Sequence, residues 1–186
     1  NDLKIVFHNT KERVYNEVIK NLEEKSNQHY NELTKGNNVL GGTLKFNKTD
    51  FDTIHVDVVT ENGDSLFGAS EGYQRMKKLA IVMAIISSKI GVKQFEYPFI
   101  ADAPFSSFGK NFINNFFTAV PSVFKQSIIL IKDLYNPESA NYLTEYGEEI
   151  LNKMKNNEIK GTFYVNYVDE KSDTLGLITK YKCYKS

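Results

Sequence analysis

Leu79 to Ile86 reads LAIVMAII, eight apolar residues in a row. The segment around it, SEGYQRMKKLAIVMAIISSKIG, is too long for one strand and has the pattern of a helix. Ser70 is a good N-cap, Glu71 suits the positive helix start, and Gly91 ends the pattern. A helix that is apolar nearly all round needs cover on every side, so its second half is expected to be buried. The run falls far short of the roughly 18 residues a membrane span needs. A layered core must therefore form around this helix, and 186 residues suffice to build one. Hydrophobic residues at 41% and charged residues at 25% are ordinary for a globular chain.

The flanking segments follow from the same periodicities. Roughly Leu3 to Leu33 is helical in pattern: Val14, Val18 and Leu22 recur every four residues, followed by Tyr30 and Leu33. Gly36, Gly41 and Gly42 then stop it. One narrow apolar stripe suits a coiled-coil end or a helix on a sheet, and an ordinary surface helix equally. Two alternating strands follow, in GTLKFNK and DTIHVDVVT, closed by a turn signal at Asn62-Gly63. After the long helix, Tyr97 to Ala101 is a short apolar strand closed by Asp102 and Pro104. A helix is expected from about Lys110 to Val120, with Pro121 as a break. QSIILIKD reads as a second buried strand, and Glu138 to Asn156 as a helix. The end reads as a hairpin turning near Lys171 to Asp173. Helix–strand alternation in the middle implies parallel pairing, while the flanks look antiparallel. The whole reads as one α/β unit, with residues 1–35 as a helical arm and residues 36–186 as a lobe.

Charge and cysteine usage exclude several classes. Lys plus Arg and Asp plus Glu each number 23, so the net charge is zero. That excludes a strongly basic, purely electrostatic nucleic-acid binder and leaves a local basic patch open. The single cysteine, Cys183, allows no intramolecular disulfide and no cysteine-cluster metal site. A reducing, cytoplasmic compartment is the simplest expectation. His8, His29 and His55 stand at no metal-ligand spacing. The chain opens at Asn1 directly in a helical pattern, which suggests a piece of a longer protein.

Three places could carry chemistry. ASEGYQ, Ala69 to Gln74, begins the long helix, and free N–H groups at a helix start suit a phosphate. Ser70 adds a hydroxyl donor and Gly72 allows close backbone approach. Plain N-capping explains the same residues. Asp102 ends an apolar strand, where ligand sites of α/β sheets lie and where nucleotide hydrolases hold Mg²⁺. An Asp that merely opens a loop explains it too. Lys132-Asp133, after the next strand, is by itself only a polar strand end.

The order of these parts resembles the C-terminal half of the ATP-binding-cassette head of the SMC superfamily. The double-strand-break repair ATPases and the DndD-like ATPases of DNA sulfur modification are nearest in pattern. ASEGYQ stands at the signature motif, written LSGGQ or LSxGE in the family. PFIADAP stands at the Walker B strand, SSFG at the D-loop and ILIKD at the switch strand. The resemblance covers roughly Lys11 to Asp133. It implies an α/β fold: the C-terminal lobe of a P-loop NTPase head of ABC type. Such a lobe has a mixed sheet flanked by helices and an N-terminal coiled-coil-like arm. It further implies that Ser70 and Gly72, with Glu71 in the same motif, meet the γ-phosphate of a nucleotide held by an opposing head. Asp102 would orient Mg²⁺, and Ser106, Ser107, Phe108 and Gly109 would lie at the head–head interface. Lys132 would take the switch position. Arg75, Lys77 and Lys78 could couple nucleotide state to the arm, although a solvated basic patch is the simpler reading of the two lysines.

The departures from the family pattern are specific. The slot after Asp102, which usually holds a water-positioning Glu, holds Ala103. The switch position holds Lys132 in place of His, and Glu71 replaces a glycine of the signature. No GxxxxGK followed by Ser or Thr occurs anywhere in the chain. ATP and Mg²⁺ are thus expected only together with an N-terminal P-loop half. The implied partners are that half, a second head, DNA and a nuclease, with no membrane. The function implied is head dimerisation and hydrolysis in DNA repair or maintenance, or in phage defence. The alternative is an ATP-gated clamp or pseudoenzyme that hydrolyses little, with Ala103 as its mark.

Overall fold

Asp2–Thr34 contains neither Pro nor Gly and forms one helix of 33 residues, α1. It stops where Gly36 takes a left-handed φ of 76°, a conformation that costs glycine little. The computed structural model describes residues 2–36, 41–49, 53–60, 62–66, 71–88, 98–102, 104, 109–168 and 179–185. Only the last third of α1 is covered: Ser26, Tyr30, Leu33 and Thr34 are buried. The expected stripe is therefore buried only from Tyr30 onward, and Val14 and Val18 are exposed. Leu3 and Phe7, near the start of α1, are 86% and 74% exposed.

The described chain divides into two compact units. The first comprises Asn1–Pro98 with Ser107–Ser127, and α1 belongs to it. β1 (Thr43–Lys48) and β2 (Ile54–Val59) pair antiparallel, with Leu44 opposite Val58 and Phe46 opposite Val56. Leu44 and Val58 face the core while Lys45 and His55 face out, which is the period of two read from the sequence. Lys48 reaches Glu12 of α1 and lies over the Tyr15 ring.

α2 (Glu71–Ser87) buries Gly72, Met76, Ala80, Met83 and Ala84, a single stripe at helical spacing. All-round burial was expected of LAIVMAII; instead Val82 and Ile85 are 45% and 55% exposed. The described residues of this unit cover α2 on one side only. α3 (Lys110–Val123) buries Phe112, Ile113, Phe116, Ala119 and Val120. It runs through Pro121, where a break was expected. Proline removes one helical N–H and crowds the carbonyl four residues earlier. Here it falls in the last turn, and the Phe124 N–H still closes on the Val120 carbonyl. Asn115 of α3 donates to the Leu33 and Lys35 carbonyls and so satisfies the end of α1.

Tyr30 is fully buried, and burial, with Tyr73 nearby, pushes its phenol up to about 12. The folded chain then keeps a proton that the unfolded chain loses above about pH 10. Its contribution is complete below pH 10 and is lost as pH rises toward 12. The parent is expected to lose roughly 2 kcal/mol across that window, and Tyr30→Phe distinctly less. Denaturant midpoints at several pH values check this, and equal slopes in both proteins refute it.

The second unit comprises Phe99–Ser106 and Ile128–Ser186. β3 (Phe99–Asp102) is hydrogen-bonded to β4 (Ser127–Leu130). Both were expected to be buried. Both alternate instead, and Ile100, Ile128 and Leu130 are 65%, 45% and 55% exposed. One face of this pair has no cover among the described residues of the unit. α4 (Glu145–Lys155) starts later than the expected Glu138. Ser139 Oγ accepts the Leu143 N–H, Tyr142 has a φ of 58°, and Thr144 caps the helix by accepting from Gly147. β5 (Thr162–Val168) and β6 (Thr179–Lys185) form the expected antiparallel hairpin. Its turn lies outside the described residues. Leu143, Leu151 and Val165 make a small core with Phe163 and Tyr184.

Gly147 sits where a Cβ would stand 2.7 Å from the Leu134 carbonyl and 3.2 Å from Leu143 Cβ. Gly147→Ala is therefore expected to cost about 1–3 kcal/mol, although alanine favours helices. A stabilised variant in urea unfolding would overturn that contact. No helix of the described residues is long and apolar enough to cross a membrane.

Candidate functional site

The first turn of α2 carries two of the three residues matched to the signature, Glu71 and Gly72. Gly72 is buried and Glu71 is exposed. Glu71 Oε1 pairs with Arg75 one turn along, which keeps part of its charge directed down the helix. Ser70 lies outside the described residues. Lys77 is half-buried, and its Nζ donates to the Val56 carbonyl of β2 at 2.7 Å. Lys78 is exposed, in keeping with the simpler reading. Gly109, the one D-loop residue described, is the N-cap of α3 with an extended backbone and no side-chain cap. Ser106, Ser107, Phe108 and Ala103 lie outside the described residues.

Asp102 and Lys132 belong to the second unit and line the same cleft, of about 360 Å³. Its walls include Ile129 to Lys132, running off the end of β4, and Phe163 to Asn166 of β5. Leu134 and Leu143 add apolar surface. The consecutive numbering is informative. The face of a strand presents every second residue, whereas its edge presents them all. The cleft is therefore bounded by an edge of β5 and by the end of β4 with the residues that follow it. No described strand pairs with β4 beyond β3, or with β5 beyond β6.

The Asp102 side chain is exposed and has no hydrogen-bond or ion-pair partner among the described residues. The same holds for the Lys132 ammonium. Among the described residues no group of three or more His, Cys, Asp or Glu could hold a metal ion. One free carboxylate is a set that fits Mg²⁺, which takes one or two carboxylates and completes its shell with water and phosphate.

A second constellation lies in the first unit. Glu32 is 3.3 Å from His29 Nδ1, and His29 Nε2 is 3.1 Å from Ser87 Oγ. The order is that of a nucleophile, a base and an orienting acid. Ser87, however, ends α2, where a helix exposes carbonyls rather than N–H groups. A developing oxyanion would be repelled there. Lys25 donates to the Ser87 carbonyl, so the cluster fastens α1 to the end of α2. His55 is an exposed face residue beside Asp57.

The sequence reading missed Glu23 and Asn27 of α1, which bind the β1 backbone, and Tyr164 in the cleft wall. No local motif marks them, because each acts across elements.

No family model matches the sequence, and no curated protein matches it. Among solved structures the chain is similar to the Smc head domain with a coiled coil and joint derived from Pyrococcus yayanosii. That likeness has a TM-score of 0.55 at 13% identity and covers 71% of this chain and 26% of that one. It is also similar to an SmcHead bound to the C-winged helix domain of ScpA. There the TM-score is 0.59 at 10% identity, over 94% of this chain and 45% of that one. The class defined is an α/β lobe with small sheets and a long helix. In fold it is similar to part of those Smc head domains. The chain spans under half the length of the chains it resembles.

Proposed function

We propose that this chain is the C-terminal lobe of an SMC-like ATPase head and works only with an N-terminal P-loop half. The observation that carries the reading is the cleft between the end of β4 and the β5 edge, with Asp102, unpartnered among the described residues, in its wall. A strand of the partner half would fill it and bring the P-loop to Asp102. Exposed Ile100, Ile128 and Leu130 on the β3–β4 pair suit the same cover. Full burial of one such side chain is worth about 1.5–3 kcal/mol. The exposed apolar start of α1 suits a second coiled-coil helix.

In this reading ATP and Mg²⁺ lie between two heads. Asp102 would hold the metal, which would supply charge neutralisation at the phosphates. Ser70 and Gly72, from the opposing head, approach the γ-phosphate, and Arg75 holds Glu71 along the helix. Ser106, Ser107, Phe108 and Gly109 line the interface between heads. Lys132 offers a cation where the family has a histidine. Head closure would then move the arms and gate DNA or a nuclease in the cytoplasm, in repair or phage defence. The second reading, an ATP-gated clamp with little hydrolysis, is favoured by Ala103 alone.

The test mixes this chain with its P-loop half and measures association. Parent chains are expected to bind. Ile128→Asp with Leu130→Asp should weaken binding at least about tenfold, since both charges would have to be buried. Undiminished binding by that double variant sinks the reading.

A further inference from the structure

Glu23 and Lys77 act on one cross-strand pair from opposite edges of the β1–β2 hairpin. Glu23 Oε2 accepts the Phe46 N–H at 2.8 Å. Val56 lies opposite Phe46, and its carbonyl accepts from Lys77 Nζ at 2.7 Å. Two residues along β1, Asn27 grips Leu44 twice. Its Oδ1 accepts the Leu44 N–H at 2.7 Å, and its Nδ2 donates to the Leu44 carbonyl at 2.9 Å. In an antiparallel ladder, backbone groups that point outward cannot be satisfied by the partner strand. The helices supply these bonds instead.

The spacing explains why the fit works. Glu23 and Asn27 are one turn apart on α1, an advance of about 6 Å. Phe46 and Leu44 are two strand residues apart, about 6.7 Å. One face of α1 thus replaces a third strand along β1, while Lys77 of α2 holds the other edge.

We infer that the hairpin is a strut tying the direction of α1 to that of α2, with Glu23, Asn27 and Lys77 as its positioning residues. The inference rests on reading α1 as the arm and the first turn of α2 as the phosphate-sensing end. α1 also packs directly on α2, and Lys25 and His29 bond it to Ser87 in the last turn of α2; the hairpin adds directional bonds at Lys77, nearer the first turn. Apolar packing tolerates small sliding, whereas the Lys77 bond favours β2 moving with α2. β2 is paired with β1 along its whole length, so the hairpin moves as one ribbon. Glu23 and Asn27 pass that movement to the arm.

Two measurements test this. The first uses this chain by itself and follows hydrogen exchange of the Leu44 and Phe46 amides. Lys77→Met, acting from the far edge, is expected to speed exchange at Phe46 about fivefold or more. Lys77→Arg, which keeps a donor, and Lys78→Met, on an exposed residue, should match the parent. Unchanged exchange in Lys77→Met overturns the strut.

The second measurement uses the chain joined to its P-loop half. Labels at Asn9→Cys and on the partner half, in a Cys183→Ser background, report arm movement on adding Mg-ATP. Lys77→Met should cut the movement to about half or less while association of the halves changes under about twofold. Lys77→Arg should restore it. Full movement in Lys77→Met overturns the strut. A parent that shows no response to Mg-ATP overturns the nucleotide reading, and the exchange experiment then decides the strut alone.

Discussion

Asp102→Asn should reduce ATP turnover by the joined halves about 100-fold or more. The carboxylate stands exposed at the end of β3, lines the cleft and has no partner among the described residues. An amide of the same shape removes the negative charge that, in the proposed reading, would hold a hard divalent cation. Phosphoryl transfer depends chiefly on positioning and charge neutralisation, so little else in the lobe can compensate. Ser70→Arg should act at another step. In the proposed reading it would place bulk and a positive charge at the trans phosphate contact and should stop heads from dimerising without separating the halves. Steady-state turnover and light scattering distinguish the two. Parent-like turnover by Asp102→Asn would remove Asp102 from the mechanism. Ala103→Glu decides between hydrolase and clamp: a rise of about 100-fold supports a missing base, and no change supports another water-positioning group.

The largest effect on stability is expected from Phe116→Ala, about 3–5 kcal/mol. Phe116 is 1% exposed on α3, with its ring 6.2 Å from that of Phe112 and 6.0 Å from that of Phe117. Truncation would remove transfer energy, aromatic contacts and the packing of α3 in the first unit. Against a typical total of about 5–15 kcal/mol, such a loss brings the unit close to unfolding. Urea denaturation should show a lower midpoint with an unchanged slope. A cost under about 1 kcal/mol would mean that the cavity collapses around the missing ring.

The elements that were legible in the sequence are those whose causes are local. α1 follows from an unbroken run without Pro or Gly, and both hairpins follow from alternation. Pro121 misled because the cost of a proline depends on how much helix remains after it, and only the last turn did. The start of α4 was misplaced because Thr144, Ser139 and the φ of Tyr142 set it, through bonds that periodicity does not register. Burial was overestimated for LAIVMAII and for β3 and β4 for one reason. Apolar runs state what needs cover, and Val82, Ile85, Ile100 and Leu130 show that the described residues of their own units do not supply it all. Of the candidate cleft, Asp102 was legible as the end of β3, whereas Lys132 lies two residues beyond the end of β4; both line the cleft. The grip of Glu23 and Asn27 on β1 depends on register between distant segments, which no single stretch of sequence encodes.

The bonds from α1 to β1 also constrain how such an arm can change length. Glu12, Glu23 and Asn27 meet Lys48, Phe46 and Leu44 in reverse order, so α1 is pinned at three points along its length. One residue inserted between Glu23 and Asn27 would turn all that precedes it by about 100° and detach Glu23 from the strand. Seven residues inserted before Glu12 would add about 10.5 Å and return the apolar stripe to within about 20° of its heading. A helix pinned this way can therefore grow or shrink by heptads before Glu12 while the segment from Glu12 to Asn27 keeps its length. The pinned segment sets the rotational phase of everything beyond it.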